Sequence, residues 1–124
     1  METKKILVVD DELINTEFLH ETLVKNGFDV ETAGDGEDAL SKLEYFLPDL
    51  ILLDIIMPKM SGWELAEILY EHPIYKHIPI IIFSALGNTG EIARAMELGV
   101  KDFVIKPVNL SDLLKSINSV FEGE

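Results

Sequence analysis

Four short apolar segments of this sequence are each followed at once by a side chain that can take part in chemistry. The groups are carboxylates, a hydroxyl and an amine, in this order along the chain: Asp10, Asp11, Asp54, Ser84 and Lys106. A carboxylate at the end of an apolar segment is a poor structural choice, because an unpaired charge beside a core costs stability. Taken singly, each group has an ordinary explanation as a helix cap, a turn residue or a solvated charge. Their recurrence at four segment ends favours a shared site.

The chemistry follows from grouping Asp10, Asp11 and Asp54. Carboxylates in one crevice repel one another and raise each other's proton affinity unless a cation joins them. Oxygen ligands without a nearby His or Cys suit Mg²⁺, which keeps several waters and accepts a phosphoryl oxygen as a further ligand. Lys106 would add a mobile positive charge, and the Ser84 hydroxyl a hydrogen-bond donor. The set predicts a carboxylate nucleophile that accepts a phosphoryl group, with metal and lysine neutralising the developing charge.

The segments that must position these groups alternate between strand and helix patterns. Residues 50–53 are apolar without alternation, which is typical of a strand covered on both faces. The other predicted strands are 6–9, 28–33, 78–83 and 100–105. Helical spacing follows each strand, and Ser61, Asn88 and Asn109 are predicted N-caps. The predicted core-facing side chains of the first four helices are Ile14, Phe18, Leu19 and Leu23; Ala39, Leu40, Leu43, Phe46 and Leu47; Leu65, Ile68 and Leu69; and Ile92, Ala95 and Met96.

About five strands alternating with about five helices predict an α/β fold, a doubly wound five-stranded parallel sheet with helices on both faces. The switch in winding direction is expected between the first and third strands, as in the flavodoxin-like order 2-1-3-4-5. Parallel strands bring their carboxyl ends to one edge, and ligands bind there. Asp10, Asp11 and Asp54 are therefore expected around one crevice.

The composition limits the classes of protein to which this chain can belong. The 124 residues predict one domain, 1–124, and the net charge of −13 makes direct binding to nucleic acid or to anionic membranes unfavourable. The sequence has no cysteine, which excludes disulfides and thiolate metal sites. No apolar segment is long enough for a signal-peptide core or a membrane span. The predicted location is the cytoplasm.

Essentially the whole chain resembles the response-regulator receiver domains of two-component signalling, of the chemotaxis-regulator type. The motifs that carry this resemblance are Val8-Val9-Asp10-Asp11-Glu12, Asp54-Ile55-Ile56-Met57-Pro58-Lys59-Met60-Ser61-Gly62, Ser84-Ala85 and Lys106-Pro107. Each motif alone is weak, whereas together they form a specific signature.

The resemblance implies a role for each metal-site residue. Asp54 matches the phosphoacceptor. Asp11 and Asp54 would bind Mg²⁺ directly, together with the backbone carbonyl of Ile56. Asp10 would act on the metal through water.

The resemblance also implies roles around the phosphoryl group. Lys106 would contact that group, and Ser84 would turn inward to hydrogen-bond it. Phe103 matches an aromatic residue whose rotamer follows Ser84. The Lys106-Pro107 bond is expected to be cis. Ile56 and Leu86 would flank the acyl phosphate, and because both are aliphatic we expect slow self-catalysed dephosphorylation.

The implied function is a signalling switch that catalyses only its own phosphorylation and slow dephosphorylation. The donor would be a phosphohistidine on a sensor histidine kinase or a histidine phosphotransfer protein. A downstream protein target would read the surface of the fourth helix, fifth strand and fifth helix. Whether the chain is free-standing or part of a longer protein stays open.

Three other functions compete with this one. A Mg²⁺-dependent phosphatase with an aspartyl-phosphate intermediate usually has a second Asp two residues after the nucleophile, where this chain has Ile56, and a cap domain. A flavin- or nucleotide-binding module would need a glycine-rich phosphate cradle, and the first loop is acidic instead. A receiver-like module that works without phosphorylation would not need the complete set of acids, Ser84 and Lys106. Trp63 is a possible partner anchor, but partial burial beside the loop is favoured.

Overall fold

The computed structural model describes residues 3–57, 59–85, 87–107 and 109–123. Strands and helices alternate along the chain, as predicted. The strands are β1 Lys5–Val9, β2 Asp29–Ala33, β3 Leu50–Asp54, β4 Ile80–Ser84 and β5 Asp102–Ile105. The helices are α1 Leu13–Lys25, α2 Gly36–Leu43, α3 Gly62–Glu71, α4 Thr89–Glu97 and α5 Leu110–Glu122, with a 3₁₀ turn at Tyr75–His77. None of the helices described combines the length and apolar character needed to cross a membrane.

The strands form one parallel sheet in the order β2-β1-β3-β4-β5, which confirms the predicted fold class. In register, Val9 lies beside Leu53, and Ser84 beside Ile105. The sheet therefore delivers the ends of all its strands to one edge. The winding direction changes between β1 and β3, so a crevice opens there.

Two apolar clusters cover the two faces of the sheet. Alternate strand residues such as Leu7 and Leu53 pack under α2, α3 and α4, whereas Val8 and Leu52 pack under α1 and α5. All of these strand side chains are fully buried. This two-sided burial is the reason that the central strands are apolar without alternation.

Side-chain N-caps start four of the helices. Each capping oxygen accepts a hydrogen bond from the backbone N–H three residues later, which satisfies a donor that has no partner inside the helix. The four caps are Asp35, Ser61, Asn88 and Asn109, at 2.8, 3.2, 2.9 and 3.2 Å. The last three confirm the prediction, and the cap at Asp35 was not identified from the sequence.

Two strands begin later than predicted for one reason. Gly27 and Gly99, with φ of 93° and 73°, end α1 and α4 in the left-handed conformation. The next backbone N–H then turns back to the helix, from Phe28 to Leu23 O and from Val100 to Ala95 O, both at 3.1 Å. These N–H groups are unavailable to the sheet, so β2 begins at Asp29 and β5 at Asp102.

The start of β4 was also predicted too early, because the segment before it forms a 3₁₀ turn. His72 Nδ1 accepts hydrogen bonds from the backbone N–H groups of Ile74 and Tyr75, both at 3.1 Å. The His72 and Tyr75 rings stack with centroids 3.9 Å apart. This local network holds the turn, and β4 begins only at Ile80.

The buried face of α1 differs from the prediction. Ile14 and Phe18 are 82% and 55% exposed, whereas Thr16 is buried together with Leu19 and Leu23. The Thr16 hydroxyl donates to Leu13 O at 2.9 Å, so this polar side chain can be buried at little cost. The core-facing stripe is therefore rotated toward Thr16. Three other residues predicted to face the core are also exposed: Leu47, Ile68 and Met96.

Candidate functional site

The strands hold the site residues through the hydrogen bonds of the sheet. Asp54 and Ser84 are the last residues of β3 and β4. Asp10 and Lys106 follow β1 and β5 and extend the sheet by one step, with Asp10 N donating to Ala33 O at 3.0 Å and Lys106 N to Ser84 O at 2.8 Å. Their backbone positions are thus set by the sheet rather than by loops, as expected for a rigid site.

The carboxylates of Asp10, Asp11 and Asp54 meet at this edge. One oxygen from each lies within 4.8 Å of the others. Asp10 and Asp54 are 1% and 3% exposed, and Asp11 is exposed. The three could hold a divalent cation by oxygen ligands alone, and this donor set fits Mg²⁺.

Lys106 crosses the crevice to the same carboxylates. Its Nζ lies 3.3 Å from Asp10 Oδ2, 3.5 Å from Asp54 Oδ2 and 3.8 Å from Glu12 Oε1. The ammonium also lies 5.0 Å from the centroid of the Phe83 ring. The structure therefore brings the predicted amine into contact with the predicted phosphoacceptor.

Electrostatics in the crevice favour an added cation. Burial and the neighbouring Asp10 raise the pKa of Asp54 from 3.8 to about 6, although Lys106 opposes this shift. Burial lowers the pKa of Lys106, but the Asp10 and Asp54 carboxylates outweigh it and the net shift is upward. The excess negative charge is what a bound metal ion would neutralise.

Asn15 is a site residue that the sequence did not reveal. Its Nδ2 donates to Asp10 Oδ2 at 3.3 Å, while the backbone N–H of Glu12 donates to Asp10 Oδ1 at 3.0 Å. Asn15 lies in the first turns of α1, away from every strand end, and no predicted motif includes it. Only its position five residues after Asp10, in a helix that starts at Leu13, could have indicated the contact.

The loop after β3 turns sharply back to the site. Gly62 N donates to Ile55 O at 2.8 Å, and a Cβ at Gly62 would collide with the Asp54 carbonyl, so only glycine fits. The Ile56 N–H lies 3.4 Å from Asp54 Oδ1, and the Ile56 side chain is 54% exposed. The metal contact from the Ile56 carbonyl stays a prediction. Pro58 of the predicted motif lies outside the described residues.

The remaining residues of the expected switch lie along β4 and β5. Ser84 is fully buried, and Phe103 is partly buried against the cluster under α4. The Lys106-Pro107 bond is cis, as expected. Leu86, predicted to flank the acyl phosphate, lies outside the described residues. Trp63 is 7% exposed, so it is buried more deeply than expected.

Fold and site together define a doubly wound α/β protein with an acidic crevice at its topological switch point. Residues 6–118 match the model of the response regulator receiver domain family. The chain therefore belongs to this family of two-component signalling domains.

Curated relatives and solved structures support this family assignment. The chain is 39% identical over 117 residues to a probable transcriptional regulator, ycf27, of Cyanophora paradoxa, covering 94% of this chain and 48% of that protein. It is 37% identical over 116 residues to response regulator PleD of Caulobacter vibrioides strain NA1000 / CB15N, covering 94% and 26%. The chain thus spans about half or less of these relatives.

This chain aligns over nearly the whole length of solved receiver structures. Chemotaxis protein CheY4 of Vibrio cholerae superposes with a TM-score of 0.91 at 31% identity, over 96% of this chain and 99% of that chain. The receiver domain of a signal transduction histidine kinase from Syntrophus aciditrophicus superposes with a TM-score of 0.88 at 30% identity, over 98% and 92%.

Proposed function

We propose that this chain is a switch in which Asp54 accepts a phosphoryl group from a phosphohistidine, with Mg²⁺ bound beside it. One observation carries the proposal. The buried Asp54 carboxylate lies 3.5 Å from Lys106 Nζ and shares a candidate metal site with Asp10 and Asp11. This grouping of a candidate nucleophile, candidate metal ligands and a charge-neutralising amine supports a role in phosphoryl transfer.

The transfer forms one bond and breaks another. A carboxylate oxygen of Asp54 attacks phosphorus, and the bond from phosphorus to the donor's imidazole nitrogen breaks, its electron pair returning to the ring. The product is an acyl phosphate on Asp54 and a histidine on the donor. Lys106 Nζ, 3.5 Å from Asp54 Oδ2, would bind a phosphoryl oxygen, and the Ser84 hydroxyl at the end of the neighbouring strand would donate to another.

Asp11 and Asp54 would hold Mg²⁺ directly, with the Ile56 carbonyl as a further ligand and Asp10 acting through water. When bound, the metal supplies positive charge that neutralises the carboxylates and the developing charge on phosphorus. Because Asp10 and Asp54 are almost fully buried, bulk water screens their repulsion poorly, and this makes the need for a cation strong.

The new charge on Asp54 would be read at the surface of α4, β5 and α5. Ser84 pairs with Ile105 in the sheet, so a movement of Ser84 toward the phosphoryl group acts directly on β5. Met96 and Ile105 are 49% and 51% exposed, which provides apolar contacts for a downstream protein. Phosphorylation would shift the population between two arrangements of this surface.

The donor would be a sensor histidine kinase or a histidine phosphotransfer protein. Ile14 and Phe18 are exposed on α1, beside a cavity of about 260 Å³ that Phe18 lines together with Phe83, Lys106 and Pro107. An apolar surface next to the phosphoacceptor is where the protein that presents the phosphohistidine would dock. We place the chain in the cytoplasm, and we expect no turnover of a diffusible substrate beyond self-phosphorylation and slow dephosphorylation.

A phosphatase with an aspartyl-phosphate intermediate is less well supported. Such an enzyme needs a general acid two residues after the nucleophile, and here the exposed aliphatic side chain of Ile56 stands at that position. An aliphatic side chain cannot donate a proton to a leaving group.

Incubation with acetyl phosphate and Mg²⁺, followed by mass spectrometry, tests the proposal. We expect one added phosphoryl group on Asp54 and none on the Asp54→Asn variant. An adduct on the variant, or none on the natural chain under conditions that label another receiver, would contradict it.

A further inference from the structure

Asp10 is a fully buried carboxylate whose charge depends on a small number of donors. It is 1% exposed, and its Oδ1 accepts one hydrogen bond from the backbone N–H of Glu12. Its Oδ2 is shared by Asn15 Nδ2 and Lys106 Nζ, each at 3.3 Å. A buried carboxylate oxygen that loses its donors is strongly destabilised.

The Lys106 ammonium cannot pair closely with both Asp10 and a phosphoryl group on Asp54. Its Nζ lies between Asp10 and Asp54, 3.5 Å from Asp54 Oδ2. A phosphoryl group on Asp54 adds up to two negative charges, which draw the ammonium away from Asp10. After this movement Asn15 is the side chain that still donates to Asp10 Oδ2.

We propose that Asn15 is a positioning residue that keeps Asp10 paired while Lys106 transfers to the phosphoryl group, an inference that rests on the proposed function. Asn15 is suited to this role because it is neutral, so it satisfies Asp10 without competing for phosphate. Asn15 also lies on α1, whereas Lys106 follows β5. The helix keeps its amide in place while the lysine moves. Asn15 also lines the cavity that Lys106 and Pro107 border.

A double-mutant cycle tests the shared pairing without metal or phosphate. Unfolding by urea is measured for the natural chain, Asn15→Ala, Lys106→Met and the double variant. Among the described residues, each single variant leaves Asp10 Oδ2 one of its two side-chain donors, whereas the double variant removes both. We expect the unfolding constant of the double variant to exceed the product of the single effects by about fivefold. Additive or less than additive effects would overturn the proposal.

Beryllofluoride, an analogue of the phosphoryl group, tests the transfer of Lys106. Its dissociation constant, measured by fluorine NMR with Mg²⁺ present, should rise about fivefold in Asn15→Ala. In the Lys106→Met background the same substitution should have no effect, because no lysine leaves Asp10. An equal loss in both backgrounds would mean a merely structural role and would overturn the proposal.

Asn26→Ala is the matched control. Asn26 lies at the C-terminal end of the same helix, and its Nδ2 donates to Thr22 O at 2.8 Å, far from the site. It should leave beryllofluoride binding unchanged. If the natural chain binds beryllofluoride and Asn15→Ala binds it equally well, the inference fails and the proposed function stands. If the natural chain takes none on Asp54, both fail.

Discussion

Asp54, the proposed nucleophile, lies in an environment that disfavours its charged form. Burial and Asp10 raise its pKa to about 6, above the 3.8 of an ordinary aspartate. Between these two values the folded chain holds a proton that the unfolded chain has released. The free energy of unfolding therefore falls as pH rises through this window, and the penalty is complete above it. The charged form of Asp54 therefore destabilises the fold at neutral pH.

The Asp54→Asn variant should therefore be more stable than the natural chain. Without metal we expect a gain of about 2 to 3 kcal/mol near neutral pH, shrinking to nothing by about pH 4. Urea unfolding across this range measures the gain. Asp29→Asn, which changes an exposed aspartate at the start of β2, is the control and should show no such trend. A gain that is independent of pH would contradict the burial of charge as its cause.

If Asp54 is phosphorylated as proposed, Ile56 would control access of water to the acyl phosphate. Its side chain is aliphatic and 54% exposed, and its N–H lies 3.4 Å from Asp54 Oδ1. It can neither hold nor activate an attacking water, so we expect slow loss of the phosphoryl group. Ile56→Asn should speed this loss by on the order of tenfold, and more when combined with Leu86→Glu.

The rate of loss of radiolabelled phosphate measures this effect. Ile56→Val, which keeps an aliphatic side chain, is the matched control and should leave the rate unchanged. Equal rates for the Asn and Val variants would mean that water access is set elsewhere.

Among the helices, α1 has an apolar surface that its packing does not use. Ile14 and Phe18 point into solvent because Thr16 takes part of the buried stripe. We expect Ile14→Ser to slow phosphoryl transfer from a cognate histidine phosphotransfer protein by about tenfold. Labelling by acetyl phosphate should not change, since a small donor needs no docking surface.

The control for this surface lies on the same helix. Val24 is 46% exposed near the C-terminal end of α1, far along the helix from the site. Val24→Ser should leave both reactions unchanged. If Ile14→Ser slowed acetyl phosphate equally, the effect would be structural rather than one of docking.

Arg94 of helix α4 contacts two residues of α3. Among the described residues of α4 only Ala95 is buried. The Arg94 guanidinium lies 4.5 Å from the centroid of the Trp63 ring, and its Nη2 lies 3.5 Å from Glu67 Oε1. Trp63 follows Gly62, which contacts the backbone of Asp54 and Ile55. The arginine therefore connects α4, which is part of the proposed output surface, to the loop beside Asp54.

Removing this contact should loosen α4 without unfolding the chain. We expect hydrogen exchange of the α4 amides to rise about fivefold in Arg94→Met, from the loss of a cation–π contact and an exposed ion pair. Glu67→Gln removes only the ion pair and should have a smaller effect. Glu97→Gln, at an exposed position of the same helix, is the control. Unchanged exchange in Arg94→Met would show that α4 is held by its other contacts.

For the molecule as a whole, charge decides how it responds to cations. With a net charge of −13, we expect NaCl to stabilise the fold by screening the repulsion between like charges. Specific binding of Mg²⁺ at the proposed site would add a further stabilisation, about 2.7 kcal/mol at about 100 times its dissociation constant. We expect Mg²⁺ to raise the melting temperature more than NaCl of equal ionic strength.

The matched variants separate screening from binding. Asp11→Asn removes an exposed ligand of the acidic cluster and should abolish the extra stabilisation, whereas Asp29→Asn should keep it. The two variants have the same net charge, so screening affects them equally. An equal response of both to Mg²⁺ would argue against a site at Asp11.

Much of the architecture and of the site could be read from local patterns. Strands buried on both faces need contiguous apolar residues, and a side chain that follows such a strand must emerge at the edge of a parallel sheet. Asp10, Asp54, Ser84 and Lys106 were placed correctly for this reason. The N-caps at Ser61, Asn88 and Asn109 were equally local, since each bonds only three residues ahead.

What local patterns could not supply depends on how distant segments pack. The rotation of α1 that buries Thr16 is set by the sheet beneath it. The contact of Lys106 with Asp10 joins residues 96 positions apart, and that of Arg94 with Glu67 residues 27 apart. Side chains so far apart in the sequence meet only after the chain has folded, so the distances between them are decided by the tertiary structure.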